Sequence, residues 1–591
     1  MDKSSKLWKA LKKLLPSSSH TSTMLQDGDT MHTEPADIAC VFNKFFSQIG
    51  SSLASKFSAG TQIKNPYPDF NEVFSFKEIS IDFTKKEIQK LQASKSTGLD
   101  GINIKLLKDA AEVVAGPLTH IMNASLKSGT VPSMWKKARI TPIFKCDSAL
   151  NPSNYRPISI LPVCMKVFEK AVQHQLIKYF KQNCILCEEQ SGFRQGHSTA
   201  TATTIVTDYV LSNMDKGRLT GAAYLDLKKA FDTVDTETLL YKLNCVGITA
   251  IEYNWFWSYL NERRQGVKFQ ESLSQSLPVV CGVPQGSILG PLLFIFFIND
   301  FKMQITYCKL HMYADDTVLL YDSTEPEDIK EKLESYLMNA SIWFTKNKLH
   351  LNVKKCKFML FGTSQKTEQV QLPDIMIENE KLEHVENYKY LGLWMDTNLN
   401  WKFHLEKMRN KIKQRTGILR RVRPFIDQKL SLMLYNALIL PLFDYCDTVY
   451  ANCNITELIN LQRLQTRAGK IILQVPYDTS THEVLNRLQW FYMTERVFYH
   501  RCVFMYKCLN GPSPPYLTRM FSFSGHGRNT RSATRRDLLI PKCRTVAGQR
   551  AFSFQGVKAW NGLNLATRNS TSMLSFKNRL KNEILTRRGP Y

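Results

Sequence analysis

The sequence predicts an α+β fold, and three observations carry that prediction. Residues 173–400 hold strand-like runs rich in apolar and β-branched residues, interspersed with helical patterns, which suggests a sheet covered by helices on one face. From Lys402 onward the periodicity is mostly helical. The 591 residues exceed a typical domain several-fold, and 43% hydrophobic with 22% charged residues is the composition of a folding globular protein.

Taken in order, residues 1–75 begin polar and Ser-rich around Ser17–Ser19. They then carry one apolar run, 38–49, with Val41, Phe42, Phe45 and Phe46 at helical spacing. This reads as a linker followed by a docking helix. Between 76 and about 175, short helical patterns alternate with turn signals at Thr97-Gly98, Gly129-Thr-Val-Pro132 and Asn151-Pro152, giving a mixed α/β layer. Within 176–400, Ala222-Ala-Tyr-Leu-Asp226-Leu is strand-like and runs into Lys228-Lys-Ala-Phe-Asp232, placing Asp226 where a strand ends and a helix begins. Two further strand-like runs, 309–313 and 317–321, flank Ala314-Asp315-Asp316 and predict a β-hairpin with acids at its tip.

In 402–423, Leu405, Met408, Ile412 and Leu419 share one helical face, while nine Lys or Arg oppose the single acid Glu406. Helical patterns continue through Leu438, Leu461, Leu464 and Ile472 to about 510, where Gly511-Pro-Ser-Pro-Pro515 marks a boundary. After it, residues 516–591 hold fifteen Lys or Arg against Asp537 and Glu583, a net of +13 in a distinct basic tail.

The whole chain carries +26, from 78 Lys and Arg against 52 Asp and Glu, which points to a polyanionic partner, either nucleic acid or an anionic membrane. The longest apolar run, 288–298, is interrupted by Pro291 and is shorter than the roughly 20 residues a bilayer span needs, so a membrane protein is not expected. The basic N-terminus lacks the apolar core and cleavage site of a secretory signal, so the chain is expected to stay in the nucleus and cytoplasm. Its fourteen cysteines form no dense framework; Cys184 and Cys187 make the only Cys-x-x-Cys pair and read as structural thiols.

The acids carry the chemistry. Nucleotidyl transfer needs one Mg²⁺ to activate a 3′-hydroxyl and a second to stabilise the leaving pyrophosphate, and hard carboxylate oxygens suit both ions. Asp226, Asp315 and Asp316 supply three such carboxylates if their strands share a sheet.

The order of motifs resembles the reverse transcriptase of non-LTR (LINE-type, Jockey-like) retrotransposons. The motifs are Gly98-Leu-Asp-Gly101, Ala138-Arg-Ile-Thr-Pro-Ile-Phe-Lys145, Asn154-Tyr-Arg-Pro157, Gly192-Phe-Arg194, Leu225-Asp-Leu-Lys-Lys-Ala-Phe-Asp232, Gly282-Val-Pro-Gln-Gly-Ser287, Tyr313-Ala-Asp-Asp316, Leu351-Asn-Val-Lys-Lys355 and Tyr390-Leu-Gly392. This resemblance covers most of the chain and implies a right-hand polymerase. Fingers fall near 76–175, a palm at 176–400, a helical thumb at 401–510 and a basic C-terminal region at 511–591, with the reverse transcriptase domain at about 137–395.

The resemblance also implies roles. Asp226, Asp315 and Asp316 match the family's metal-binding carboxylates, with the Leu227 carbonyl completing one shell and Mn²⁺ a possible substitute for Mg²⁺. Phe231 stands at the steric gate against a 2′-hydroxyl. Lys145 and Arg156 match the fingers contacts to the triphosphate. Gln285 matches the loop that braces the incoming nucleotide, flanked by Gly282 and Gly286. Lys355 resembles the proton donor to pyrophosphate, with Lys354 beside it as an alternative. Tyr390, Leu391 and Gly392 resemble the primer grip, and the basic helix would line the template–primer duplex. Arg531-Ser-Ala-Thr-Arg-Arg536 and Ala559-Trp-Asn-Gly-Leu563 resemble the family's C-terminal end.

The expected activity is therefore RNA-directed DNA polymerisation on a template RNA and primer DNA with dNTPs; a catalytically inactive relic that only binds nucleic acid is the alternative. Residues 1–75 are too short for an upstream nuclease, and no Ser/His/Asp triad, Walker loop or ribonuclease H acid set is visible. A target-nicking endonuclease is thus expected to come from elsewhere.

Overall fold

The computed structural model describes residues 24–55, 64–370, 374–524 and 537–588. The serines 17–19 and the Arg531–Arg536 motif lie outside the described residues.

Helix α1 (Pro35–Ala54) opens on a proline, whose missing N–H is harmless in a first turn, and buries Ile38, Val41, Phe42 and Phe46. That face lies on a five-stranded sheet built from β1 (Lys137–Phe144) and β2 (Tyr155–Ile160), which pair antiparallel. Helices α2 (Val163–Gln182) and α3 (Thr199–Asp215) follow, then strand β3 (Leu219–Leu225) of a separate sheet. The chain returns to the first sheet with β4 (Arg263–Phe269), parallel to β1, and Asn43 of α1 ties it down by accepting from Gln265 Nε2 at 3.2 Å.

Helix α4 (Gly290–Phe297) contains most of the long apolar run and is nearly all buried. Hairpin strands β5 (Lys309–Tyr313) and β6 (Asp316–Ser323), helix α5 (Pro326–Lys346) and strand β7 (Lys357–Phe361) then complete the second sheet, in the order Glu383–His384, β7, β3, β6, β5. A tight hairpin, β8 (Asn387–Tyr390) and β9 (Leu393–Asp396), leads into the helical half of the chain.

Every residue of β3 is buried, and strand alternation sends its side chains into two cores. Ala223 and Leu225, with Phe358 and Leu360 of β7, join the core under α4 and α5; Ala222 and Tyr224, with Val318 and Leu320 of β6, join a second core with α3. Helices therefore cover both faces, where the sequence suggested one. The uninterrupted Ala222-Ala-Tyr-Leu225 run is what a strand buried on both faces requires.

In the helical half, α6 (Lys402–Val422) buries Leu405, Met408, Ile412 and Leu419, the face its spacing predicts. Two of its cations, and Arg423 just past its end, serve the fold. Arg409 pairs with Glu457 of α7 (Ile455–Leu473), Arg415 donates to the Leu438 carbonyl and Arg423 to that of Ile472. Lys402, Lys407, Lys411, Lys413, Arg420 and Arg421 remain exposed.

Residues past Pro515 are packed rather than trailing. Helix α8 (Met493–Asn510) supplies Cys502, Met505 and Tyr506 to a third core shared with Trp560 of α9 (Phe552–Asn561) and Phe576 and Leu580 of α10 (Met573–Arg587). Asp215 of α3 accepts from the N–H groups of Arg544 (2.9 Å) and Thr545 (2.7 Å), and the Tyr516 and Ser191 hydroxyls meet at 2.8 Å. The apolar residues spaced between the cations form this core, which a net charge alone does not reveal. No helix among the described residues is long and apolar enough to cross a membrane.

One buried acid sets a pH dependence of stability. Glu169 of α2 is fully buried, accepting from the Tyr259 hydroxyl at 2.5 Å and the Ile288 N–H at 2.9 Å, and burial raises its pKa from 4.5 to about 7. The folded state thus holds this proton more tightly than the unfolded chain, so stability from this group is full below pH 4.5 and declines as pH rises to 7. Glu169→Gln is expected to remove up to about 3 kcal/mol of that decline, seen as a flatter urea midpoint between pH 5 and 8.

Candidate active site

Strand β3 ends at Leu225, and the next residue is Asp226. No helix begins there: a turn occupies 228–232, and the following helix starts only at Thr236. The expected strand-to-helix junction is thus a strand-to-turn junction, with Lys229 at φ +50° bending the chain away. Asp226 is held by the short turn that precedes β7. Its N–H donates to Cys356 Sγ (3.3 Å), its carbonyl accepts from the Asn352 N–H (2.8 Å), and its carboxylate accepts from Asn352 Nδ2 (3.0 Å). Leu227 bridges to Leu351 beside it.

The predicted hairpin is present, with Asp316 paired to Tyr313 across a tip in which Ala314 takes φ +55°. A fully buried amide clamps that tip. Gln190 Oε1 accepts from the N–H groups of Ala314 (2.9 Å) and Gly192 (2.7 Å). Gly192 has to be glycine, because a Cβ there would stand 2.3 Å from the Ala314 nitrogen.

Antiparallel pairing of Thr317 with Leu225 then brings Asp315 and Asp316 beside Asp226. Their titration reports the crowding. Asp315 is raised by burial and then by the Asp226 charge; Asp316, although its side chain is exposed, is pushed up to about 6 by lost hydration first and then by Asp315 and Asp226. The oxygens of the three do not all lie within 4.8 Å of one another; among the described residues only Asp444, Asp447 and His500 form such a trio, and Arg496 already grips Asp444 with two bonds of 2.6 Å. Three mutually repelling carboxylates on adjacent strand ends are the hard oxygen donors that a divalent metal ion fits.

Cations face these acids. Lys145, just past β1, and Arg156 on β2 are both exposed and both lower the pKa values of Asp315 and Asp316. Lys229 donates to the carbonyls of Ser153 (2.7 Å) and Tyr155 (3.0 Å), tying the turn after Asp226 to the first sheet. Its pKa is lowered by burial and by Lys145, Arg156 and Lys355, so these cations form one group. Lys355 belongs to it.

Phe231 is half-buried, stacked on Phe294 at 4.4 Å and met edge-on by Phe193 at 6.1 Å. The 282–286 loop is laced to it: Val283 N–H donates to the Phe231 carbonyl (2.9 Å) and Gly282 N–H to that of Val234 (2.8 Å). Gly282, at φ +78°, lets this happen, since a Cβ would lie 2.8 Å from Asp232 Cα. Gln285 Nε2 donates to Asp232 Oδ1 at 2.9 Å.

The 390–392 turn takes left-handed φ values at Leu391 (+45°) and Gly392 (+89°), and the Tyr445 hydroxyl donates to the Leu391 carbonyl at 2.6 Å. Tyr390 is buried 5.6 Å from Tyr224, and Tyr388 stacks on Tyr224 at 3.9 Å. Burial and then the charges of Asp316 and Asp226 raise the Tyr388 pKa, which places this hairpin against the acids.

With the geometry in hand, residues 137–395 match the family model described as reverse transcriptase (RNA-dependent DNA polymerase). The chain carries a reverse transcriptase domain. All the residues just described except Tyr445 and the Asp444 group fall inside it. Curated relatives include a probable RNA-directed DNA polymerase from transposon BS of Drosophila melanogaster, 30% identical over 427 residues, covering 69% of this chain and 46% of the relative. The RNA-directed DNA polymerase from mobile element jockey of Drosophila funebris is 27% identical over 422 residues, covering 69% and 45%. A putative 115 kDa protein in type-1 retrotransposable element R1DM of Drosophila melanogaster is 26% identical, covering 66% and 36%. The resemblance to non-LTR retrotransposon polymerases thus holds, and the chain spans less than half the length of these relatives.

The reverse transcriptase domain also uses residues that sequence reasoning did not assign. Asn352 holds Asp226, Gln190 clamps the hairpin tip, Lys229 joins the two sheets and Asp232 binds Gln285. Asn352, Lys229 and Asp232 lie within recognised motifs, and Gln190 lies two residues before Gly192.

Proposed function

We propose that this chain is an RNA-directed DNA polymerase of the non-LTR retrotransposon kind, adding dNTPs to a DNA primer 3′-hydroxyl as an RNA template dictates. The observation that carries this reading is the β3–β6 register, which sets Asp226 beside Asp315 and Asp316 at one end of a sheet. In right-hand terms, the β1–β2–β4 sheet serves as fingers, the β3-centred sheet as palm and α6–α8 as thumb.

Asp226, Asp315, Asp316 and the Leu227 carbonyl would hold two Mg²⁺ ions, which when bound acidify the 3′-hydroxyl and neutralise the departing pyrophosphate. The chain's own groups do the rest. Lys145 and Arg156, exposed opposite the acids, bind the triphosphate, a point-charge ammonium and a planar fork suited to phosphate oxygens. Lys355, in the same cation group, gives its proton to the pyrophosphate oxygen. Phe231, fixed by its stack on Phe294, fills the space a 2′-hydroxyl needs. Tyr390, Leu391 and Gly392 orient the primer end, and the exposed cations of α6 take the duplex phosphates. Lys542, Arg544, Lys558, Arg579 and Lys581, exposed in the C-terminal region, extend that basic surface for template RNA. No carboxylate, gate or amide position of the motifs is lost from the sequence, which supports an active enzyme over an inactive relic.

The test is extension of a DNA primer annealed to RNA, with each dNTP supplied alone. Addition of only the complementary nucleotide is expected. Addition without regard to template, or none while the primer–template is bound, would refute the reading.

A further inference from the structure

We infer that Asp232 is a positioning residue for Gln285: its carboxylate fixes which end of the Gln285 amide faces the incoming nucleotide. The inference rests on the proposed polymerase reading and concerns the nucleotide subsite alone.

Asp232 follows Phe231 directly and is half-buried behind the 282–286 loop, with its Oδ2 shielded from solvent. Its Oδ1 accepts from Gln285 Nε2 at 2.9 Å. An ionised carboxylate only accepts hydrogen bonds, so it captures the NH₂ end of an amide and rejects the carbonyl end. Gln285 Oε1 is thereby turned away from Asp232. The half-exposed amide is left to present an acceptor, with its orientation set in advance, to a donor hydrogen of the nucleotide. At pH 8 the carboxylate is ionised, because burial raises it only to about 6, opposed by Lys229, the Gln285 bond and Arg263.

The support around Asp232 is rigid. Gly50 and Gly282 press their backbones against it: a Cβ on Gly50 would stand 2.3 Å from the Asp232 carbonyl oxygen. Arg263, whose Nε donates to the Leu260 carbonyl (2.8 Å) and whose Nη2 donates to those of Cys281 (2.9 Å) and Gly282 (2.6 Å), supplies positive charge nearby. The second oxygen, Oδ2, is buried and has no partner among the described residues. It borders a polar cavity of about 40 Å³ lined also by Gln285, Arg263 and Ser159, room for a water. One oxygen is therefore spent on Gln285, and no protein group among the described residues holds the other.

The experiment is single-dNTP incorporation by the full chain on a DNA primer and RNA template at pH 8, with kcat and KM for dNTP measured separately. Asp232→Ala is expected to raise KM at least about tenfold with kcat changed less than about threefold, because binding of the nucleotide is lost rather than the chemistry. Asp232→Asn can offer Gln285 either a donor or an acceptor, so it no longer selects one end of the amide and is expected to raise KM about threefold or more, short of the alanine variant. The deciding arm is the double variant: Asp232→Ala in a Gln285→Ala background should add no further rise in KM, since Asp232 acts only through Gln285. A further rise in the double variant, or an unchanged KM in Asp232→Ala beside a raised one in Gln285→Ala, would overturn the inference. Should the alanine variant unfold, Asp232→Leu fills the same volume without an acceptor and carries the same expectation. Failure of the polymerase reading looks different: the parent chain would then show no template-directed incorporation.

Discussion

Asp315→Asn is expected to abolish primer extension, by roughly 10³-fold or more, while leaving primer–template affinity within about twofold. The amide is nearly isosteric, so the Gln190 clamp on the hairpin and the β5–β6 pairing survive. What changes is charge. In the folded state Asp315 is raised by burial and by Asp226, which means its ionised form opposes folding. Neutralising it removes a like charge from the cluster, so the variant should be at least as stable as the parent at neutral pH. A loss of activity in a protein that melts no earlier and binds duplex normally can then be assigned to the site. Extension on RNA templates, filter binding and a thermal melt on one preparation provide the comparison; retained extension would contradict the metal-site assignment.

Phe231→Val is expected to reduce discrimination between dNTP and rNTP by about 100-fold, chiefly by admitting ribonucleotides. The ring is held from two sides, stacked on Phe294 and met edge-on by Phe193, so it cannot swing aside when a 2′-hydroxyl arrives. A smaller side chain removes that obstruction, and the neighbouring backbone stays fixed by the Val283 N–H bond to the Phe231 carbonyl. Incorporation of dNTP should persist. The ratio of kcat/KM values for a matched dNTP and rNTP measures the effect, and an unchanged ratio would show that Phe231 is a packing residue only.

How much of this was legible in the sequence depended on the range of the interaction. The hairpin at 313–316 was readable because its strands and turn are contiguous, and the buried face of α6 because helical spacing is local. Asp226 was visible as a strand-end acid, but the turn after it was not, since Lys229 at positive φ is stabilised by carbonyls more than 70 residues away, at Ser153 and Tyr155. The second helical cover on the β3 sheet was missed for a related reason: a run of buried residues shows that both faces are covered, and the partner α3 is recognised only once packed. The C-terminal region looked like a basic tail because charge is easy to count, whereas Trp560, Phe576 and Leu580 form a core only with α8. Gln190 carries no pattern of its own, and Asp232 lies within a motif that does not name its partner. A buried amide and a half-buried carboxylate look like surface residues in a sequence until the groups they serve are known.

The central claim is that three acids on adjacent strand ends carry a metal-dependent transfer directed by RNA. Its most direct test is the rate of one complementary dNTP's addition to a DNA primer on an RNA template, followed as Mg²⁺ is titrated into metal-free protein, for the parent chain and Asp226→Asn. The account predicts no addition with the metal chelated, a rate that rises and saturates with Mg²⁺ in the parent, and no rise in the variant. A parent rate indifferent to Mg²⁺, or a variant that follows the parent's curve, would contradict it.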